Sequence, residues 1–342
     1  MYPSKMFDSE YHLREHALRH ARVLDAVAAQ EDIAGSFGWC MFDYNTHQEF
    51  GSGDRICYHG VLDMYRNPKL AAAVYAAQSD GEPVLEISAG MDIGEHPAST
   101  MDKIYIITNA DSVRMYKNGS FLKEYRPEDS EFRHLKHGPI LIGDYMGDRL
   151  REEEGLAPKQ AEILRELLND CAIHGLEKAP PKLKAKAIKA LARYHMGEAD
   201  IQRLYGKYVG SWGDSATVYR FEAVKNGTVV KTVEKGPVRD LQMIVDVSHH
   251  TLRDGAAYDV AAVRVRMTDR TESKNLLRFY NGPVKLSVTG PIEIIGPKIL
   301  TLRGGCGGTY VKTTGEPGQA TLTLENDQAG VYSEVFEVIR EP

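Results

Sequence analysis

The sequence contains no apolar run that approaches the roughly 20 residues needed to span a bilayer. It also lacks positive charge in excess: over 342 residues the formal net charge is -6. A nucleic-acid partner favours a basic face, so none is expected, and no membrane partner either. The opening residues, MYPSKMFDSEYHLREH, have no apolar core of the kind a secretory signal carries. Cysteine is scarce. The four, Cys40, Cys57, Cys171 and Cys306, form no CxxC pair. In a chain of this length that pattern predicts reduced thiols and a cytoplasmic protein. Cys40 and Cys57 could approach each other or act as two small buried hydrophobes.

What is present is enough chain for two or three domains. Residues 9–30, SEYHLREHALRHARVLDAVAAQ, predict a helix, with Leu13, Ala17 and Leu24 near helical spacing. Residues 33–44, IAGSFGWCMFDY, read as a buried strand because apolar residues appear without strict alternation. After a polar loop, NPKLAAAVYAAQ (67–78) predicts a short helix with Pro68 near its first turn. Helix, strand, loop and helix in that order belong to an α/β layout.

From Pro83 the period changes. KIYIITNADSVRMYKNGSFLKEY alternates apolar and polar residues, and Asn118-Gly119 between two such runs predicts a hairpin. Residues 135–207 are helical in pattern and highly charged, with helix stops expected at Gly175 and Gly197. Strands then resume, with a second hairpin expected at Asn226-Gly227. The helical zone therefore reads as an insertion within a β-sandwich. From Leu241 to Ile339 short alternating strands with Gly/Pro punctuation read as an immunoglobulin-like sandwich. The expected domains are 1–82, 83–238 with an insertion at about 135–207, and 239–342.

Several signals have plain explanations. His12, His16 and His20 share one helix face at a spacing that can hold a metal, but no acid or cysteine completes a site beside them. A solvated amphipathic helix accounts for them, and no metal or cofactor is expected. His249-His250 has no visible partner. The lysines of KLKAKAIKALAR read as a solvated helix face. RGGCGGTY (303–310) lacks the Lys-Ser/Thr of a phosphate loop and reads as a turn.

GSFGWCMFDYNTHQEFGSGDRICYHG, residues 35–60, is richer. An indole followed by dense polar residues suits a sugar site: the ring stacks on the pyranose C–H face, and polar groups hydrogen-bond the hydroxyls. The plain alternative is that Trp39 is core and the polar residues decorate a surface loop.

Trp39, Asp43, GVLD (60–63) and RNPK (66–69) together resemble the end of the catalytic barrel in β-galactosidases of glycoside hydrolase family 2. IYIITNADSVRMYKNG, YGKYVGSWGDSATVYRFEAVKNG and VTGPIEIIGPKILTLRGG are similar to the C-terminal β domains of one branch of these enzymes. The resemblance covers essentially the whole chain. It implies a partial (β/α)8-barrel remnant followed by two immunoglobulin-like β-sandwich domains, the first with the helical insertion. That is a mixed α/β and then mainly β fold. It also implies a retaining glycosidase acting on terminal β-D-galactosides, with Trp39 as the sugar platform. Asp43, Asn45, His47, Asp54, Arg55 and His59 are the other substrate-binding candidates, and Asp43 could instead orient a neighbouring arginine or backbone group.

The same resemblance implies that the chain starts just after the nucleophile's strand, which in the family ends in a segment like Ser-Glu-x-x-Gly-His. Neither catalytic glutamate is then expected in the chain. Glu10 and Glu15 fall on a helix, and Glu49 matches no catalytic position. The expected partner is a carbohydrate, a β-galactoside, together with a separately encoded N-terminal part or a second copy of the chain. The rival expectations are a non-catalytic carbohydrate-binding or scaffold protein and one subunit of a split glycosidase.

Overall fold

The computed structural model describes residues 2–47, 55–91, 100–175, 180–209, 217–238 and 240–341. It is a mixed helix and strand structure in which β-sheet predominates. One compact unit takes in Met1–His16, Phe37–Ala72 and Val238–Pro342, and the other takes in Ala17–Ser36 and Ala73–Pro237. Residues 1–82, expected as one segment, are therefore divided between the two. Among the described residues no helix is long and apolar enough to cross a membrane.

In the second unit, four antiparallel strands lie in the order Ser120–Tyr125, Ser112–Lys117, Tyr219–Lys225, Thr228–Lys235. Both hairpins of this sheet turn on Asn-Gly pairs with positive φ at each residue: 49° and 82° at Asn118-Gly119, 52° and 76° at Asn226-Gly227. Such turns match the right-handed twist of the strands they join. A three-stranded sheet, Leu85–Ile87, Tyr105–Thr108 and Ile140–Leu141, shares the same core. The helical zone comprises Arg149–Glu154, Pro158–His174, Pro181–Arg193 and Glu198–Tyr208. Its Leu164, Leu168, Leu204 and Tyr208 bury into the core formed by Ile106, Met115, Tyr219 and Phe221. The charged helices are thus amphipathic elements that help close the β core of this unit.

In the first unit, two sheets enclose one core. Leu241–Val247, Val260–Asp269, Cys306–Thr313 and Ile292–Ile295 form one; Thr251–Asp254, Gly330–Arg340, Gly318–Asn326, Pro283–Thr289 and Ile299–Thr301 form the other. Val245, Val263, Val265 and Val311 from the first meet Leu252, Leu286, Leu322, Leu324 and Phe336 from the second. Alternate residues of each strand supply this layer, as the period of two requires. RGGCGGTY turns at Gly304 and Gly305, with φ of 62° and 74°, and runs into the strand Cys306–Thr313.

The first segment of this unit packs against the sandwich. Tyr65 lies so close over Gly308 that a Cβ there would meet the ring at 2.3 Å, and its ring centroid is 6.2 Å from that of Tyr310. The turn at Gly304 abuts the Met6 backbone in the same way.

The buried strand expected over 33–44 is not found. Ile33, Phe37, Trp39 and Met41 are exposed, and regular pairing begins only near Cys40. An unbroken apolar run fits either a strand covered on both faces or a segment presenting its side chains to solvent, and periodicity cannot separate the two. The helices expected over 9–30 and 67–78 form at Glu10–Ala28 and Leu70–Ala76.

Candidate functional site

Backbone pairing fixes the base of the candidate site. Residues 40–43 run beside 59–62 in parallel: the Val61 amide donates to the Cys40 carbonyl at 3.0 Å, Leu62 to Met41 at 2.9 Å, and Asp43 to Leu62 at 3.0 Å. Gly60 permits this approach. A Cβ on it would lie 2.2 Å from the Asp43 nitrogen and 2.5 Å from the Leu62 carbonyl oxygen, so only hydrogen fits.

A polar frame then locks the segment. The Asp43 carboxylate accepts from the Gly60 amide at 2.9 Å and from the Lys69 ammonium at 2.6 Å. Lys69 also donates to the carbonyls of Ser4 and Tyr58. Burial pushes the Asp43 carboxyl up to about 6, with Lys69 and the Gly60 amide opposing. Burial also pulls the Lys69 ammonium down, against the attraction of Asp43. Asp63 closes the following turn: its carboxylate accepts from the amides of Tyr65 and Asn67, each at 2.8 Å, and from the Asn67 side chain at 2.8 Å. GVLD and RNPK are therefore held by glycine packing, a carboxylate-closed turn and a buried ion pair.

On this base stands a two-strand ribbon, Tyr44–Asn45 against Ile56–Cys57, with Tyr44 opposite Cys57. The Trp39 ring, 62% exposed, meets the Tyr44 ring edge-on, with centroids 6.4 Å apart at 88°. The Trp39–Cys40 peptide is cis. The Arg66 guanidinium lies 3.6 Å over the Phe42 ring.

The predicted site residues fall as follows. Trp39, Asn45, His47 and Arg55 are exposed, and His59 is half-buried with Nδ1 3.1 Å from the Cys57 sulfur. Arg55 has a φ of 60°, and its carbonyl accepts the Thr46 amide at 2.8 Å. Asp43 is buried and faces Lys69 and the Gly60 amide. Asp54 and Glu49 lie outside the described residues. Sequence reasoning did not count Tyr44, Cys57, Gly60 or Lys69 among the site residues. For Tyr44 a signal existed: it is one of four aromatics, with Phe37, Trp39 and Phe42, crowded into residues 37–44.

The three helix histidines turn to separate partners. His12 contacts the Tyr2 hydroxyl at 3.1 Å and the Pro3 carbonyl at 2.7 Å, His20 contacts the Tyr75 hydroxyl at 2.9 Å, and His16 is buried.

No family model matches the chain. It is 30% identical over 308 residues to a β-galactosidase of Thermoanaerobacterium thermosulfurigenes, covering 89% of this chain and 35% of that protein. It is 29% identical over 343 residues to a β-galactosidase of Thermoanaerobacter pseudethanolicus, covering 98% of this chain and 37% of that protein. Among solved structures, it superposes on a β-glycosidase from Bacteroides vulgatus with a TM-score of 0.57 at 13% identity, covering 93% of this chain and 32% of that one. A β-glucuronidase from glycoside hydrolase family 2 gives 0.56 at 14% identity, covering 96% of this chain and 28% of that one.

The chain matches a C-terminal segment of family 2 glycoside hydrolases. It spans about a third of the length of the curated β-galactosidases, at 35% and 37%. The structural neighbours share the family 2 fold at 13% and 14% identity and carry the fold alone.

Proposed function

We propose that this chain forms the sugar-facing wall and the C-terminal β framework of a β-galactosidase-like glycosidase. One observation carries the reading: the Trp39 ring is 62% exposed, while the backbone just beyond it is locked by Gly60, Asp43 and Lys69. An exposed indole on a fixed base is a platform for the apolar face of a pyranose. Asn45, His47, Arg55 and His59, with Asp54, then serve the hydroxyls. The parallel pairing of 40–43 with 59–62 supports reading this segment as the end of a (β/α)8 barrel, since parallel neighbours are what such a barrel uses. The two β regions are read as immunoglobulin-like sandwiches.

Galactosides are favoured over glucuronides because the β-galactosidases match at 30% and 29% identity, whereas the glucuronidase shares only the fold. A retaining glycosidase needs two carboxyl groups about 5 Å apart across the scissile bond. Glu10 is buried within the helix Glu10–Ala28, and Glu15 lies on the same helix. Neither sits at a strand end, so this reading gives the chain the binding surface. It assigns nucleophile and acid/base to the part of such an enzyme that the matched third does not span. That part is the expected partner, as a separate chain or within a longer one, and the active assembly is a homo-oligomer or such a complex.

Saturation-transfer NMR of the chain with methyl β-D-galactoside and methyl β-D-glucuronide tests the platform. Transfer to the galactoside C–H protons, lost in Trp39→Ala, is the expected result. Equal transfer in Trp39→Ala overturns the platform. Turnover of an aryl β-galactoside by this chain, abolished by a glutamate substitution within residues 1–80, overturns the division of labour.

A further inference from the structure

An indole nitrogen can only donate a hydrogen bond, and this fixes the direction of the first link in a series of side chains running away from the Trp39 ring. Tyr44 is the edge-on neighbour of Trp39, at 6.4 Å between centroids and 88° between planes. Across the ribbon Tyr44 faces Cys57, and in directly opposed strand positions the Cβ atoms lie about 5 Å apart. Cys57 is buried, and its sulfur sits 3.1 Å from His59 Nδ1. A hydrogen bond to Cys57 raises the Tyr44 phenol above its ordinary value, and one from Trp39 opposes it. Burial holds the His59 imidazole below its ordinary value. The indole N–H can donate only toward the Tyr44 oxygen, the Tyr44 hydroxyl is then left to face the Cys57 sulfur, and that sulfur shares a 3.1 Å contact with His59 Nδ1.

We infer that Tyr44, anchored through Cys57 to His59, is the positioning residue that sets the plane of the Trp39 ring. Trp39 has 62% of its surface exposed, so packing alone restrains it little. Stacking on a sugar depends on the ring plane, and each rotor left free must be ordered when the sugar binds. The relay orders the indole beforehand. His59 then anchors the foot of this relay.

This inference rests on the sugar-platform reading for its purpose, but its test does not. The chain has two tryptophans, so Trp212→Phe leaves Trp39 as the sole indole. In that background Tyr44→Phe removes the bridging hydroxyl and keeps the ring. The Trp39 fluorescence anisotropy is expected to fall, with the thermal midpoint unchanged. Cys57→Ala is expected to have the same effect, and Cys57→Ser, whose hydroxyl both accepts and donates, to restore the wild-type value. Anisotropy unchanged in Tyr44→Phe overturns the relay, and equal losses in Cys57→Ala and Cys57→Ser overturn the part assigned to Cys57. Methyl β-D-galactoside should also bind roughly 5-fold more weakly to Tyr44→Phe, the share of one hydrogen bond. If the anisotropy falls as expected while Trp39→Ala binds the galactoside as well as wild type, the relay stands and the sugar-platform reading fails.

Discussion

Lys69 donates to Asp43 across 2.6 Å, with 0% of its own side chain and 2% of its partner's reaching solvent. Burial raises Asp43 to about 6, so at neutral pH the carboxyl is still ionised and the two charges compensate each other. Removing one partner leaves the other as an uncompensated buried charge. Asp43→Ala or Lys69→Met alone is therefore expected to cost about 3–5 kcal/mol in urea unfolding. Asp43→Leu combined with Lys69→Met should cost far less than the two singles together, because an apolar pair needs no compensation. Additive losses would show that the backbone bonds to Gly60 and Ser4, rather than the ion pair, set the energy.

Gly60 is expected to be equally intolerant. An added methyl group would lie 2.2 Å from the Asp43 nitrogen, and backbone has no rotamer by which to yield. Gly60→Ala should lower stability by about 3 kcal/mol, the upper part of the range for overpacking. Gly143, with nothing within 4 Å of its Cβ position, is the control: Gly143→Ala should stay within about 0.5 kcal/mol of wild type. Denaturation midpoints for the two variants decide the matter.

Trp39 separates stability from binding. With 62% of its surface exposed it gives little to the folded state. Trp39→Ala should shift unfolding by no more than about 0.5 kcal/mol, yet weaken galactoside binding by roughly 1–3 kcal/mol where the ring stacks on the sugar. Calorimetric melting beside a binding titration reads both. A large drop in stability would place the ring in the core, the plain alternative that its sequence context allowed.

Much of the β architecture was legible because its signals are local. Asn118-Gly119 and Asn226-Gly227 each favour positive φ, and both form their hairpins. Strand alternation around Val263, Val265 and Val311 marks the buried face of the sandwich. The run at 33–44 misled because what covers a segment is not written in its period. The site was legible in its residue types and not in its contacts. Asp43 and Lys69 are 26 positions apart, and nothing local to either announces the other. Tyr44 and Cys57 face each other only because the ribbon register places them so. The helical zone read as an insertion, but its Leu204 and Tyr208 close the same core as Met115 and Phe221, a long-range fact.

Lys117 supplies a pH prediction. Its side chain is buried, and its ammonium donates to the Tyr208 carbonyl at 2.7 Å, at the end of the helix Glu198–Tyr208. It also lies 5.6 Å from the centre of the Tyr219 ring. Burial, with the Arg149 charge adding to it, pulls Lys117 from 10.5 to about 8. The folded value is thus below the unfolded one. Between these values the unfolded chain holds a proton that the folded chain has released, so stability rises with pH across the window. At neutral pH the buried charge is a standing cost, eased by the carbonyl and the ring face. Lys117→Met keeps the length of the stem and removes the titration. The stability of wild type minus that of Lys117→Met, from urea unfolding at several pH values, should therefore climb between about pH 8 and 10.5, by about 3 kcal/mol in total. A difference that is flat across this window would mean that Lys117 titrates as an ordinary solvated lysine.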